Sequence, residues 1–207
     1  MRTTTWQKWQ RFWRLRQLQE PYGSMLAEDD GVFVSIDCET TSLKVKDAEI
    51  LSIAAVCIEG NRICARDAFY TLIKPQQTPG HENIQVHGLR PIDISEGVPL
   101  QDALQQFLEF VRGRALLGYY LKYDVAVLNK FLKPILGTVL PNHQLEVSSR
   151  YYDWQYAKRP GSSVDLRWEM IAKNLNVPLL PRHDAMNDAI TAAMMYLVLN
   201  SRGYGAS

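Results

Sequence analysis

The chain has 207 residues, of which 46% are hydrophobic and 22% charged, with a net charge of +1. That length supports one domain with a full core plus an appendage and argues against two complete domains, and the near-neutral charge says nothing about partners. Cys38, Cys57 and Cys64 lack C-x-x-C spacing, and the longest apolar run, Ala192 to Leu199, is too short to span a bilayer, which argues against a disulfide framework, a zinc site and a transmembrane segment.

Residues 1–20 hold Trp6, Trp9 and Trp13, three of the five tryptophans, beside Phe12, Arg2, Lys8, Arg11, Arg14 and Arg16. Helical spacing lines the tryptophans into a stripe. Such a helix suits a membrane surface, nucleic acid or a partner, and an aromatic stripe is more often packed than free, so docking in cis or on a partner is expected. The N-terminus lacks the apolar stretch of an export signal, and the expected location is the cytoplasm. Pro21-Tyr22-Gly23-Ser24 and Glu28-Asp29-Asp30-Gly31 read as linker and turn. Residues 1–30 are therefore expected to be an extension, 31–200 the main domain and 201–207 a tail.

Val32 to Thr41 reads as a strand that ends in two acids. Val32, Val34 and Ile36 share one face, while Phe33, Ser35, Asp37 and Glu39 share the other. Apolar residues on both faces place the strand centrally, where unpaired carboxylates are expensive. Asp37 and Glu39 would then want a cation; the plainer reading ends the strand earlier and leaves both acids solvated. Ile50 to Ile58 and Ile63 to Ile73 follow as a hairpin around Glu59-Gly60-Asn61. Residues 74–99, rich in Pro, Gly and polar side chains, read as a long functional loop. Leu100 to Val111 is a helix with one apolar face, Arg114 to Gly118 a short buried strand, and Tyr123 to Leu132 a helix stopped by Pro134. Glu146 to Tyr152 reads as a strand and Val164 to Leu175 as a helix. The last helix spans Asp184 to Asn200 with Asp184 as its N-cap. The order implies an α/β or α+β domain on a mixed sheet.

On the last helix Asp188 is in line with Ala192, Met195 and Leu199. A carboxylate on a buried stripe must be paired or coordinate a metal; an arginine partner or an exposed stripe end would also account for it. Asp124 lies near a helix N-terminus just after a strand, where the helix dipole tolerates an anion, and capping alone would explain it. His183 sits on the Pro-bounded stretch Pro181-Arg182-His183, close to Asp188; a lone histidine before a helix is commonly an exposed loop residue. His81, His87 and His143 lie in Pro- or Gly-containing loops and read the same way.

In chain order these groups are Asp37-Cys38-Glu39-Thr40-Thr41-Ser42-Leu43, then Gly118-Tyr-Tyr-Leu-Lys-Tyr-Asp124, then His183-Asp-Ala-Met-Asn-Asp188-Ala189. The pattern resembles the DEDDh, or DnaQ-like, 3′-5′ exonucleases, the family of the proofreading subunit of bacterial replicative DNA polymerase. The resemblance covers residues 31–200, and Val86-His87-Gly88-Leu89 is similar to that family's loop before its first helix. It implies a ribonuclease H-like α/β fold, a mixed five-stranded sheet flanked by helices. It further implies that Asp37, Glu39, Asp124 and Asp188 hold two Mg²⁺, with Mn²⁺ able to substitute, and that His183 is the general base. Four carboxylates suit two hard ions ~4 Å apart, and histidine takes a proton near neutral pH. Thr40, Leu43 and His87 correspond to substrate-binding positions. Ser42 stands where many relatives have Gly, and Tyr120 where many have Asn. Glu39-Thr-Thr-Ser42 also departs from the Glu-Met-Thr-Gly of oligoribonuclease-type relatives. The expected activity is 3′-5′ exonucleolysis of single-stranded or frayed DNA, releasing nucleoside 5′-monophosphates, with a proofreading or repair role. The alternatives are a non-catalytic nucleic-acid-binding or polymerase-accessory module and a 3′-exoribonuclease.

Overall fold

The computed structural model describes residues 5–75, 89 and 91–204. Strand β1 (Phe33–Thr40) pairs antiparallel with β2 (Ile50–Glu59), Asp37 opposite Ala54 and Glu39 opposite Ser52. β2 also pairs with β3 (Arg62–Ile63) and β4 (Phe69–Leu72). On its other edge β1 pairs parallel with β5 (Ala115–Gly118), which pairs parallel with β6 (Gln144–Glu146). The acid-bearing strand is therefore central, as its apolar residues on both faces require.

Two cores follow from the alternation along β1. Val34, Ile36 and Cys38 join one with helices α4 (Leu100–Val111) and α5 (Leu121–Leu136). Phe33 and Leu117 join the other with α6 (Val147–Lys158), α7 (Trp168–Leu175) and α8 (Ala185–Leu199). A short helix α3 (Pro91–Ser95) precedes α4. All three cysteines are free, and no described helix is long and apolar enough to cross a membrane.

The structure differs from the sequence expectation at several places: the expected linker around Tyr22 is helical with Leu26 fully buried, Pro91–Ser95 is helical within the expected loop, and the helix expected from Val164 starts at Trp168; four further differences follow. The run Ile63 to Ile73 is two strands, giving six in the sheet among the described residues; a 3₁₀ turn at Ala65–Asp67 splits it, and its three side chains are all exposed. Only the first residue of the expected strand Glu146 to Tyr152 is extended. From Val147 the chain is helical, because Glu146 caps that helix by accepting from the Ser148 N–H at 3.2 Å, and Val147, Tyr151 and Trp154 bury at helical spacing. Pro134 lies inside α5, whose last turn loses one N–H donor and ends at Gly137 with φ +77°.

The fourth difference concerns the N-terminal helix α1 (Thr5–Gln17), which leads to α2 (Tyr22–Ala27). It docks in cis, but through its arginine–leucine face. Arg11 donates to the carbonyls of Leu26 (3.4 Å) and Gly113 (3.2 Å), Arg14 donates to that of Leu140 (3.4 Å), and Leu15 packs on the core. Gly113 permits this approach, since a Cβ there would come within 2.5 Å of the Leu26 and Glu28 carbonyls. Trp6, Trp9, Phe12 and Trp13 face outward, 47–69% exposed.

Helix α8 lies against β1 and β2 through Ala185, Ala189, Ala192 and Ala193, all buried. Ser35 Oγ donates to the Ala189 carbonyl at 2.7 Å, a buried bond that pins the helix to the strand. Ala189→Leu is expected to cost about 1–3 kcal/mol by overpacking this interface, read from urea unfolding, and to lower nuclease activity by moving Asp188. Unchanged stability would mean that the interface has room for the larger side chain.

Candidate active site

Asp37 and Glu39 leave β1 on the face that meets α8, as period two requires. Asp184 caps α8 by accepting from the Asn187 N–H at 2.9 Å, which places Asp188 in the first turn at 8% exposure. Carboxylate oxygens of Asp37, Glu39 and Asp188 lie within 4.8 Å of one another. Asp124, buried in the first turn of α5, stands beside Asp37 outside that trio, and the backbone N–H groups of Asp124 itself and Cys38 bond its carboxylate.

The turn that carries Asp124 has two supports. Gly118 ends β5 where a Cβ would meet the Ile36 carbonyl and Leu121 at 3.1 Å. Tyr120 follows in the left-handed region at φ +57°, a conformation in which Asn is enriched and Tyr is not. Here Glu146 holds it by accepting from the N–H groups of Tyr120 (3.1 Å) and Leu121 (2.9 Å).

With several carboxylates so close, each resists ionisation. Burial first, then the charges of Asp124, Glu39 and Asp188, push Asp37 well above the usual carboxylate range. Burial also raises Asp124 well above it, against the pull of its two backbone N–H bonds. Glu39 is pushed up to about 7 by burial and by Asp188 and Asp184. Asp188 is raised by burial, with Arg182 opposing. The Arg182 Nε lies 3.7 Å from Asp188 Oδ1, too long for a hydrogen bond, and that oxygen is buried without a donor. An all-oxygen donor set, mutual repulsion and an orphaned buried carboxylate oxygen fit a hard divalent cation.

The remaining expected site residues fall as follows. His183 is exposed with φ +62°, and its backbone N–H donates to Asp188 Oδ2 at 3.3 Å. Thr40 shares a 2.6 Å hydrogen bond with the Tyr123 hydroxyl, which also donates to the Ser42 carbonyl. Leu43 projects 89% exposed from the turn after β1. His87 lies outside the described residues.

Four residues that border the cluster escaped the sequence reading. Arg182 stacks over Trp168 and pairs with Glu169 as well as Asp188; the arginine weighed as a partner for Asp188 thus exists, six residues upstream. Glu146 and Tyr123 act as supports. Tyr70 is aligned across the sheet with Ala54 and Asp37. Its hydroxyl is pushed up by burial and by the charges of Asp184 and Glu39. Strand alternation carries a signal for Tyr70, but only once the register of three strands is known.

Residues 34–196 match the RNase_T family, described as an exonuclease. The chain is 30% identical over 116 residues to DNA polymerase III subunit epsilon of Aquifex aeolicus, which covers 56% of each protein. It is 28% identical over 178 residues to the PolC-type DNA polymerase III of Caldanaerobacter subterraneus subsp. tengcongensis, covering 84% of this chain and 12% of that polymerase. The chain thus spans just over half of the one relative and about an eighth of the other. Among solved structures, Exonuclease I of E. coli in complex with a dT13 oligonucleotide superposes with a TM-score of 0.68 at 17% identity, over 83% of this chain and 41% of that one. The mixed sheet flanked by helices is the ribonuclease H-like architecture that the motifs imply.

Proposed function

This chain belongs to the RNase_T exonuclease family, and we propose that it is a DEDDh nuclease that shortens single-stranded or frayed nucleic acid, DNA in preference, from the 3′ end. The observation that carries this reading is the approach of three carboxylates to within 4.8 Å with one buried oxygen left without a donor. Asp37, Glu39, Asp124 and Asp188 would hold two Mg²⁺, or Mn²⁺ in their place. When bound, the ions supply positive charge to the attacking and leaving oxygens of the displacement.

The chain's own groups do the rest. His183, on an exposed segment beside Asp188, takes the proton of the attacking water; the water oxygen bonds to phosphorus, the bond to the 3′-oxygen breaks, and that oxygen gains a proton. The product is a nucleoside 5′-monophosphate. Leu43 offers an apolar face to the terminal nucleotide, and Tyr123 steadies the Thr40–Ser42 turn that receives it. The names of the polymerase III relatives favour DNA and a proofreading or repair role in the cytoplasm.

The test is digestion of 5′-labelled single-stranded DNA and RNA of one sequence with Mg²⁺ or EDTA. A ladder that shortens from the 3′ end with Mg²⁺ alone supports the proposal, and the faster polymer names the substrate. Release of the label at the outset would reverse the direction. Intact polymers under every condition would leave a binding module.

A further inference from the structure

Alongside α1 runs a groove of about 900 Å³, within the size range of ligand sites. Four cations, Lys8, Arg11, Arg14 and Lys122, line it beside Trp6 and Phe12, against one carboxylate, Asp29. Elsewhere Arg62, Arg112, Arg114, Arg167 and Arg182 pair with carboxylates. Among the described residues none of the four groove cations does. Arg11 and Arg14 spend hydrogen bonds on neutral carbonyls, so their charge stays uncompensated.

We infer that this groove is a track for single-stranded nucleic acid, holding the part of the strand upstream of the 3′ end that enters the acid cluster. The inference rests on the exonuclease reading for its direction. Unpaired cations meet phosphates, and the outward rings of α1 offer stacking faces to bases. Of the groove residues Lys122 comes nearest to the acids in the chain: it shares the first turn of α5 with Asp124, about 3 Å along the helix axis and on the opposite side of the helix. On this inference a strand leaving the carboxylates passes around the start of that helix to enter the groove. A membrane surface fits less well, because Arg16 lies over Phe12, 5.3 Å from the ring centroid, so inserting the aromatic face would carry a charge with it.

Binding is separable from hydrolysis when it is measured in EDTA. The anisotropy of a labelled oligo-dT of about 20 nucleotides should report a Kd at least about tenfold weaker for Lys8→Glu and for Trp6→Ala than for the parent. In Lys8→Glu the salt dependence should also flatten, by roughly 0.7 in log–log slope for each phosphate no longer neutralised. Both side chains are exposed, and circular dichroism verifies that the variants fold. Equal affinity in parent and variants overturns the groove, even where the Mg²⁺-dependent ladder is intact and the exonuclease reading stands. Groove-dependent binding without any ladder upholds the groove and removes the exonuclease reading. Lys8-dependent retention on phosphatidylglycerol vesicles with no oligonucleotide binding overturns it in favour of a membrane surface. Lys8-dependent capture of a polymerase subunit with no oligonucleotide binding overturns it in favour of a protein partner.

Discussion

Asp37→Asn is expected to lower nuclease turnover by about a thousandfold or more, yet to raise the unfolding temperature of the metal-free protein. Asp37 is close to Glu39 and Asp188 and feels the charge of Asp124 as well, so under the proposed function its loss disturbs the whole cation-binding cluster. In a metal-assisted displacement of the proposed kind, several kcal/mol of transition-state charge stabilisation depend on the cations, and about 4 kcal/mol corresponds to roughly a thousandfold in rate. Asn has nearly the same shape but carries no charge, so the change removes a ligand and leaves the packing. Stability moves the other way, because Asp37 is held well above its ordinary pKa by burial and by three neighbouring carboxylates. Removing that charge should stabilise the chain in EDTA at about pH 8, read as a higher Tm than the parent's. Calorimetry with and without Mg²⁺ checks the second half, and single-turnover digestion the first. A variant that is inactive and also less stable in EDTA would mean that Asp37 is structurally required rather than electrostatically strained.

The metal-free protein should lose stability as pH rises from about 4.5 to about 7, and Mg²⁺ should restore it. Glu39 titrates at about 7 in the folded chain against an ordinary 4.5. Between those values the folded state holds the proton and the unfolded state does not, so the free energy of unfolding falls as pH rises. The contribution is fully present below about pH 4.5 and gone above about pH 7, of the order of 3 kcal/mol for Glu39 alone. Asp37, Asp124 and Asp188 shift in the same direction. Asp30 and Asp165 are held down by Arg114 and Arg167 and shift oppositely, below the window. Under the proposed function magnesium would bind the ionised carboxylates, and at a hundred times Kd it would add about 2.7 kcal/mol. The gain in Tm on adding Mg²⁺ should therefore be larger at about pH 8 than at about pH 5. An equal or larger gain at the lower pH would separate the acid cluster from cation binding.

Together these effects describe a site whose repulsion is the counterpart of its use. Desolvated carboxylates oppose folding of the metal-free chain, and the small-residue face of α8, pinned by Ser35, holds Asp188 in place against them. The supports around the cluster share this logic: Glu146 fixes the start of α5, while Tyr123 fixes the turn after β1.

The chain's local periodicities determined the central strand with Asp37 and Glu39 on one face and the last helix with Asp188 on its buried stripe. Side-chain direction at periods of 2 and 3.6 is set within a few residues, and the Asp184 cap is local in the same sense. Only the tertiary structure decided the rest. Arg182 bears on Asp188 because the segment before α8 folds back over Trp168. Glu146 reaches the turn that carries Asp124 because β5 and β6 pair in one register, and Tyr70 is aligned with Asp37 only through β2. The outward face of α1 was likewise undecidable from its pattern: an aromatic stripe looks the same facing core or solvent, and the docking face was chosen by backbone carbonyls of Leu26, Gly113 and Leu140, far away in the sequence.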